Sequence, residues 1–314
     1  VADRGVCGNG GAADRPVSPL VTATELAAAL PSAAPPLVLD VRWKLGRTDG
    51  AEEHRRAHIP GSVYVDLENE LSGPRRPGSG RHPLPSRAGL ARAAARWGVT
   101  PGRTVVAYDD DSGLAAARLW WVLRWAGHGA VQVLDGGLGA WVAAGGELES
   151  GPYASGEPLP PGDAAAQDAT SAHPAAVPLA APDTTMPVLD AAAAARLARA
   201  GALLDARAAE RYRGEVEPVD PLPGHIPGAR SAPARENLAA DGRFLDPARL
   251  RARFASLGVD GSRPVGVYCG SGVTAAHEVL ALALAGITAA LYPGSWSEWV
   301  ADPDRPRALG PEPG

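Results

Sequence analysis

The stretch Val265-Gly-Val-Tyr-Cys-Gly-Ser-Gly-Val-Thr-Ala-Ala276 decides how this chain is read. A β-branched, apolar run ends in Cys269, a glycine-containing loop follows, and the Ala/Leu-rich segment from Ala275 to Ala285 reads as a helix. Strand, tight loop and helix in that order aim successive backbone N–H groups into one concavity. The helix N-terminus adds partial positive charge there. A thiol held in such a concavity ionises more readily than one in free solution. An isolated cysteine at a strand end is ordinarily a small buried hydrophobe. Here Gly270, Ser271, Gly272 and Thr274 are poor core formers and good cradle formers, so Cys269 reads as a nucleophile that carries a group on its sulfur.

Working outward, the flanks of this stretch occur twice. Leu37-Val-Leu-Asp-Val-Arg42 is answered by Ala202-Leu-Leu-Asp-Ala-Arg207, and His58-Ile-Pro-Gly-Ser62 by His225-Ile-Pro-Gly-Ala229. Val105-Val-Ala-Tyr108 is answered by Val265-Gly-Val-Tyr268, and the segment ending in Trp141 by the one ending in Trp299. Four matched blocks in one order mark a tandem repeat. Each half alternates short strands with helices, which implies an α/β fold: two tandem domains, each a mainly parallel sheet flanked by helices. The boundaries read as a disordered lead over residues 1–19, a first domain over 20–148, a linker over 149–186 and a second domain over 187–314. In the first half the place of Cys269 falls to Asp109 or Asp110, depending on a one-residue gap. A carboxylate there cannot carry sulfur, so this domain is expected to be silent at its own loop and to lend residues to the other.

Composition narrows the function. With 314 residues, 45% of them hydrophobic, the chain can bury real cores. A formal net charge of −5 argues against a nucleic-acid partner. Two cysteines, Cys7 and Cys269, make no disulfide framework, and no CxxC or His/Cys cluster marks a metal site. The polar, Gly-rich N-terminal stretch has no signal-like apolar region, and no run reaches membrane-spanning length. The expectation is a cytoplasmic protein with no membrane partner.

The repeat, the two His-Ile-Pro-Gly blocks, Gly294-Ser-Trp-Ser-Glu-Trp299 and above all Cys269-Gly-Ser-Gly-Val-Thr-Ala275 resemble the tandem-domain rhodanese family. The loop spelling is similar to its 3-mercaptopyruvate sulfurtransferase branch, whereas the thiosulfate branch has two basic residues where this chain has Gly270 and Ser271. The resemblance implies rhodanese-like domains of which the second is catalytic, and no cofactor. It implies sulfur transfer from 3-mercaptopyruvate through a Cys269 persulfide to a thiol, such as thioredoxin or a low-molecular-weight thiol, or to cyanide. It implies Cys269, Ser271, His82 and Asp66 as catalytic, the last three as a proton relay, with a cap role as the alternative for Asp66. It implies Arg211 as the carboxylate binder, whose fork fits that group in bidentate fashion, beside Gly270, Gly272, Val273 and Thr274 as substrate-binding residues. A second arginine common in that branch is replaced here by Asp220, for which Arg213 is the nearest substitute in sequence.

Two other functions compete. Thiosulfate as donor is the near alternative, and a non-catalytic sulfur carrier is the far one; the latter has no use for Ser271, His82 and Asp66. A phosphatase on a related loop needs an arginine to grip phosphoryl oxygens, and the corresponding position here is Ala275.

Overall fold

The computed structural model describes residues 18–151 and 186–314. Cys7 and most of the expected lead and linker lie outside those residues. The chain starts with strand β1 (Leu20–Val21) and helix α1 (Ala23–Ala29). Thr22 caps α1 by accepting from the Glu25 amide at 3.2 Å, and Glu25 accepts from the Thr22 amide at 2.8 Å. This reciprocal pair satisfies two donors the helix leaves open. Next come β2 (Leu37–Asp40), α2 (Gly50–Arg56), β3 (Val63–Tyr64) and α3 (Leu67–Glu70). The polar Pro/Gly/Arg-rich segment then runs as an irregular loop to Ser86, which caps α4 (Arg87–Trp97). β4 (Val105–Tyr108), α5 (Ala116–Trp125), β5 (Val131–Leu134) and α6 (Gly137–Ala143) complete the first unit.

The second unit comprises α7 (Ala191–Arg199), β6 (Leu203–Asp205), α8 (Ala209–Arg213), β7 (Arg230–Ser231), α9 (Pro247–Ser256), β8 (Val265–Tyr268), α10 (Thr274–Leu284), β9 (Ala289–Leu291) and α11 (Ser295–Trp299). The sheets run β1-β5-β4-β2-β3 and β7-β6-β8-β9. Their strand pairs are parallel. The structure is therefore the expected α/β fold of two parallel sheets flanked by helices.

The repeated motifs hold each sheet to its turns. Arg42 grips Asp40 and donates to the Ala57 carbonyl at 2.7 Å; Arg207 grips Asp205 and donates to the Gly224 carbonyl at 2.7 Å. Tyr108 and Tyr268 accept from the Ile59 and Ile226 amides at 3.2 and 3.1 Å. The two Ile-Pro-Gly histidines, His58 and His225, are buried and bond to backbone carbonyls of His54 and Tyr212. These residues recur because both halves solve the same packing problem.

One apolar cluster contains side chains of both units, among them Leu39, Trp121, Val267 and Leu280. At its centre α5 packs on α10. Both are buried on nearly every side, which is why their sequences lack a polar stripe. Residues that follow the carboxyl ends of β4 and β8 line one cavity at this seam, the usual position of sites in open parallel sheets. Among the described residues, no helix is long and apolar enough to cross a membrane.

Candidate active site

Cys269 is the first residue after β8 and is 2% exposed. Its carbonyl accepts from the Trp296 amide at 2.9 Å, and its amide donates to Ser295 Oγ at 3.1 Å, so α11 fixes the backbone beneath the thiol. The loop then curls over the sulfur, and the Gly272 amide donates to Cys269 Sγ at 3.1 Å. Gly272 has φ +82°, and a Cβ there would meet the Pro293 carbonyl oxygen at 2.6 Å. Only glycine turns this corner without strain.

The equivalent place in the first unit belongs to Asp109. Its carbonyl accepts from the Leu138 amide at 2.8 Å, as that of Cys269 does from Trp296. This settles the one-residue gap in favour of Asp109 over Asp110. The Asp109 carboxylate is fully buried and accepts from the amides of Asp111, Gly113, Ala115 and Ala116 at 2.7–2.9 Å. Burial pushes its carboxyl up, and these amides oppose the shift.

Ser271, on the cysteine loop, lies 2.7 Å through its Oγ from Nδ1 of His82, which comes from the irregular loop of the first unit. His82 is 1% exposed, and its Nε2 lies 2.9 Å from Glu68 Oε1. Trp43 Nε1 donates to that same oxygen at 2.9 Å. The bond from His82 is the chief reason Glu68 is held down to about 2, with its own partial burial working the other way. Burial lowers the imidazole below its ordinary value, against the pull of Glu68. A neutral ring facing an anionic carboxylate carries its hydrogen on Nε2. Nδ1 is then left free to take the Ser271 proton.

The acid of this chain of bonds is Glu68 and not Asp66, a correction to the sequence expectation. Asp66 is the N-cap of α3, and its carboxylate accepts from the amides of Glu68 and Asn69 at 2.9 and 3.2 Å. A side chain turned back onto its own helix cannot also reach His82. Glu68 stands two residues on, inside the first turn, and has the longer reach. The signal for it was a second acid close behind Asp66.

Cys269, Ser271, Val273 and Thr274 line a cavity of about 530 Å³ between the units, with Arg211 and Gly270. Gly272 is not part of that wall and contributes its amide instead. Arg211 is bonded to Glu217 at 2.7 Å and lies 3.5 Å from Asp220. Arg207 is committed to Asp205. Arg213 pairs with Glu215 at 2.7 Å and is absent from the cavity wall, so it does not stand in for the missing second arginine. Arg81, unremarked in the sequence, does line the cavity and is paired with Asp220.

A second residue without a local sequence signal is Arg118 on α5. It is fully buried and donates to the carbonyls of Gly272, His82 and Leu71 at 3.2, 3.1 and 3.3 Å. It ties the cysteine loop to the histidine loop across the seam. Burial brings its guanidinium down to about 10, and the neighbouring Cys269 works against that fall. Among the described residues, no group of three or more His, Cys, Asp and Glu side chains is placed to hold a metal ion.

Comparison with known proteins follows the same lines. A model of the rhodanese-like domain matches twice, over residues 22–144 and 190–302. A probable 3-mercaptopyruvate sulfurtransferase of Pseudomonas aeruginosa is 48% identical over 93% of this chain and 98% of its own. A putative thiosulfate sulfurtransferase of Mycobacterium tuberculosis is 45% identical over 93% of this chain and 97% of its own. Among solved structures, SseA from Escherichia coli, described as a 3-mercaptopyruvate sulfotransferase, superimposes with a TM-score of 0.70 at 30% identity, covering 89% of this chain and 99% of SseA.

Proposed function

The chain belongs to the rhodanese family and is a sulfurtransferase, which uses a sulfur donor and a sulfur acceptor; from that premise we propose that 3-mercaptopyruvate is the donor and Cys269 the carrier. The Cys269 thiolate attacks the donor sulfur. The carbon–sulfur bond breaks, its electron pair leaves on carbon as the enolate of pyruvate, and Cys269 is left as a persulfide. The donor thiol gives up one proton, and the enolate needs one to become pyruvate. Ser271 and His82, 2.7 Å apart, carry that proton, and Glu68 holds the imidazole in the tautomer the transfer needs. The Gly272 amide stabilises the thiolate, whose charge is on Sγ; in the persulfide the charge moves to the outer sulfur, on the cavity side. Arg211 holds the donor carboxylate. A thiol, such as thioredoxin or a small thiol, or cyanide then takes the outer sulfur. A thiol that must be regenerated in this way suits a reducing compartment, the cytoplasm.

The observation that carries this reading is the bonded chain Glu68–His82–Ser271, which reaches the cysteine loop from the other domain. A carrier that only stores sulfur has no use for it. The test is mass spectrometry of the Cys269 peptide after exposure to 3-mercaptopyruvate, where one added sulfur is expected. Steady-state rates should give the higher kcat/KM with 3-mercaptopyruvate than with thiosulfate. The thiosulfate reading is kept as the second, because a relative at 45% identity carries that name; a clear preference for thiosulfate establishes it instead.

A further inference from the structure

We infer that Arg81, from the first domain, is the second arm of the donor-binding clamp and pairs with Arg211 of the second domain to hold one carboxylate. The inference rests on the donor reading above and adds a residue to it. Three observations carry it.

Gly270 lies beneath both guanidinium groups. A Cβ on that glycine would sit 2.9 Å from Arg81 Nη2 and 3.5 and 3.6 Å from Arg211 Nη1 and Nη2. The two forks therefore converge on one point of the cavity wall, one residue from Cys269. Gly270 has no positive φ to explain it; its missing side chain lets the two guanidinium groups come down onto the cysteine loop.

Asp220 is the brace behind them. Its Oδ1 takes Arg81 Nη1, and its Oδ2 lies 3.5 Å from Arg211 Nη2. One carboxylate between two cations offsets their repulsion and fixes their spacing. Arg81 is only 16% exposed on its side chain, and its amide donates to Ser297 Oγ at 3.0 Å, which pins its backbone to the second domain.

Donors remain to be used. Among the described residues, Arg81 Nη2 is bonded to no protein group, while Arg81 Nε, also without a partner, is sealed from solvent. A guanidinium braced through Nη1 with Nη2 unclaimed suits an anionic ligand such as a carboxylate. Because the arms belong to different domains, the clamp exists only while the two are docked.

The test compares two donors, 3-mercaptopyruvate and mercaptopropanone, which has a methyl group in place of the carboxylate. The native protein should prefer the first, and Arg81→Ala should cut that preference by about tenfold or more, the usual weight of a charge-assisted bond. The loss should fall on KM more than kcat, and Arg81→Lys should recover part of it. An unchanged preference in Arg81→Ala overturns the inference while leaving the donor reading intact. If the native protein does not turn over 3-mercaptopyruvate, the donor reading falls. Pyruvate protection of Cys269 against iodoacetamide then decides for Arg81. A need for about tenfold more pyruvate in Arg81→Ala supports the clamp, and equal protection overturns it. Should Arg81→Ala not fold, Arg81→Lys is read against the same two standards, with a partial loss supporting the clamp and no loss overturning it.

Discussion

The loops after β4 and β8 occupy the same place in their two sheets and hold different things. After β4, the Asp109 carboxylate fills the ring of amides and takes four of them for itself. After β8, a thiol takes one amide and faces a cavity of about 530 Å³. The backbone device is an anion trap in both domains. The first is occupied permanently by the protein's own carboxylate, and the second, in the reaction proposed above, holds the anion made during turnover. Residues outside the β4 loop reach across the seam: Arg81, His82 and Arg118 bond to groups of the second domain, and Glu68 stands behind His82.

The most severe way to break the comparison is to remove the thiol. Cys269→Ser should abolish both turnover and the added sulfur seen by mass spectrometry, because an alcohol neither ionises near neutral pH nor forms a persulfide. Cys269→Asp should also be inactive, yet should keep the fold by turning the second trap into a copy of the first. Thermal unfolding of the two variants checks this, and collapse of the aspartate variant would mean the loops are not equivalent.

The converse change tests the first trap. Asp109→Ala leaves four amides, three of them buried, without an acceptor. With unsatisfied groups costing about 1–3 kcal/mol each, and partial relief from water, a loss of about 3 kcal/mol is expected. Asp109→Asn keeps one oxygen and should lose less. Urea unfolding measures both. A change under about 0.5 kcal/mol would mark Asp109 as an ordinary surface-like position.

Much of this was legible in sequence, and the limits have physical causes. Strand and helix propensities are local, so β4 and β8 could be read from their β-branched runs and α10 from its Ala/Leu content. The repeat was legible because both halves need the same Asp-x-Arg and His-Ile-Pro-Gly turns. Glu68 was not read, because the choice between it and Asp66 depends on which carboxylate the start of α3 retains. Arg81 and Arg118 were not read because their partners, Asp220 and the Gly272 carbonyl, lie in the other half of the chain. Such contacts leave no periodicity.

The choice between the two acids gives a smaller effect. Glu68→Gln should lower kcat/KM by about tenfold, through loss of the imidazole's preferred tautomer. Asp66→Asn should change kcat/KM less than twofold, since asparagine also caps helices well. Ser271→Ala and His82→Ala should each cost more, about a hundredfold, and the double variant should cost little beyond either alone. Steady-state rates with 3-mercaptopyruvate separate these cases. Equal losses for Glu68→Gln and Asp66→Asn would undo the assignment.

The finest test asks whether the first domain's contribution is chemical or only structural, and it is read on the acid side of the pH profile. Nδ1 of His82 accepts a proton only while the ring is neutral. Burial lowers its pKa, so the ring stays neutral at pH values where a free histidine, near 6.5, is already half protonated. Activity that depends on it should therefore hold as pH falls to about 6.5 and decline only below that. Glu68 favours the imidazolium, so removing its charge in Glu68→Gln should move the decline to lower pH still. Ser271→Ala should erase that part of the profile, because the proton no longer passes through His82. A decline centred at about 6.5 or above in the native protein would mean that a neutral, buried His82 does not set the acid side of the profile. In that case Glu68 and His82 would brace the seam between the domains without handling the proton, and the first domain would be a scaffold alone.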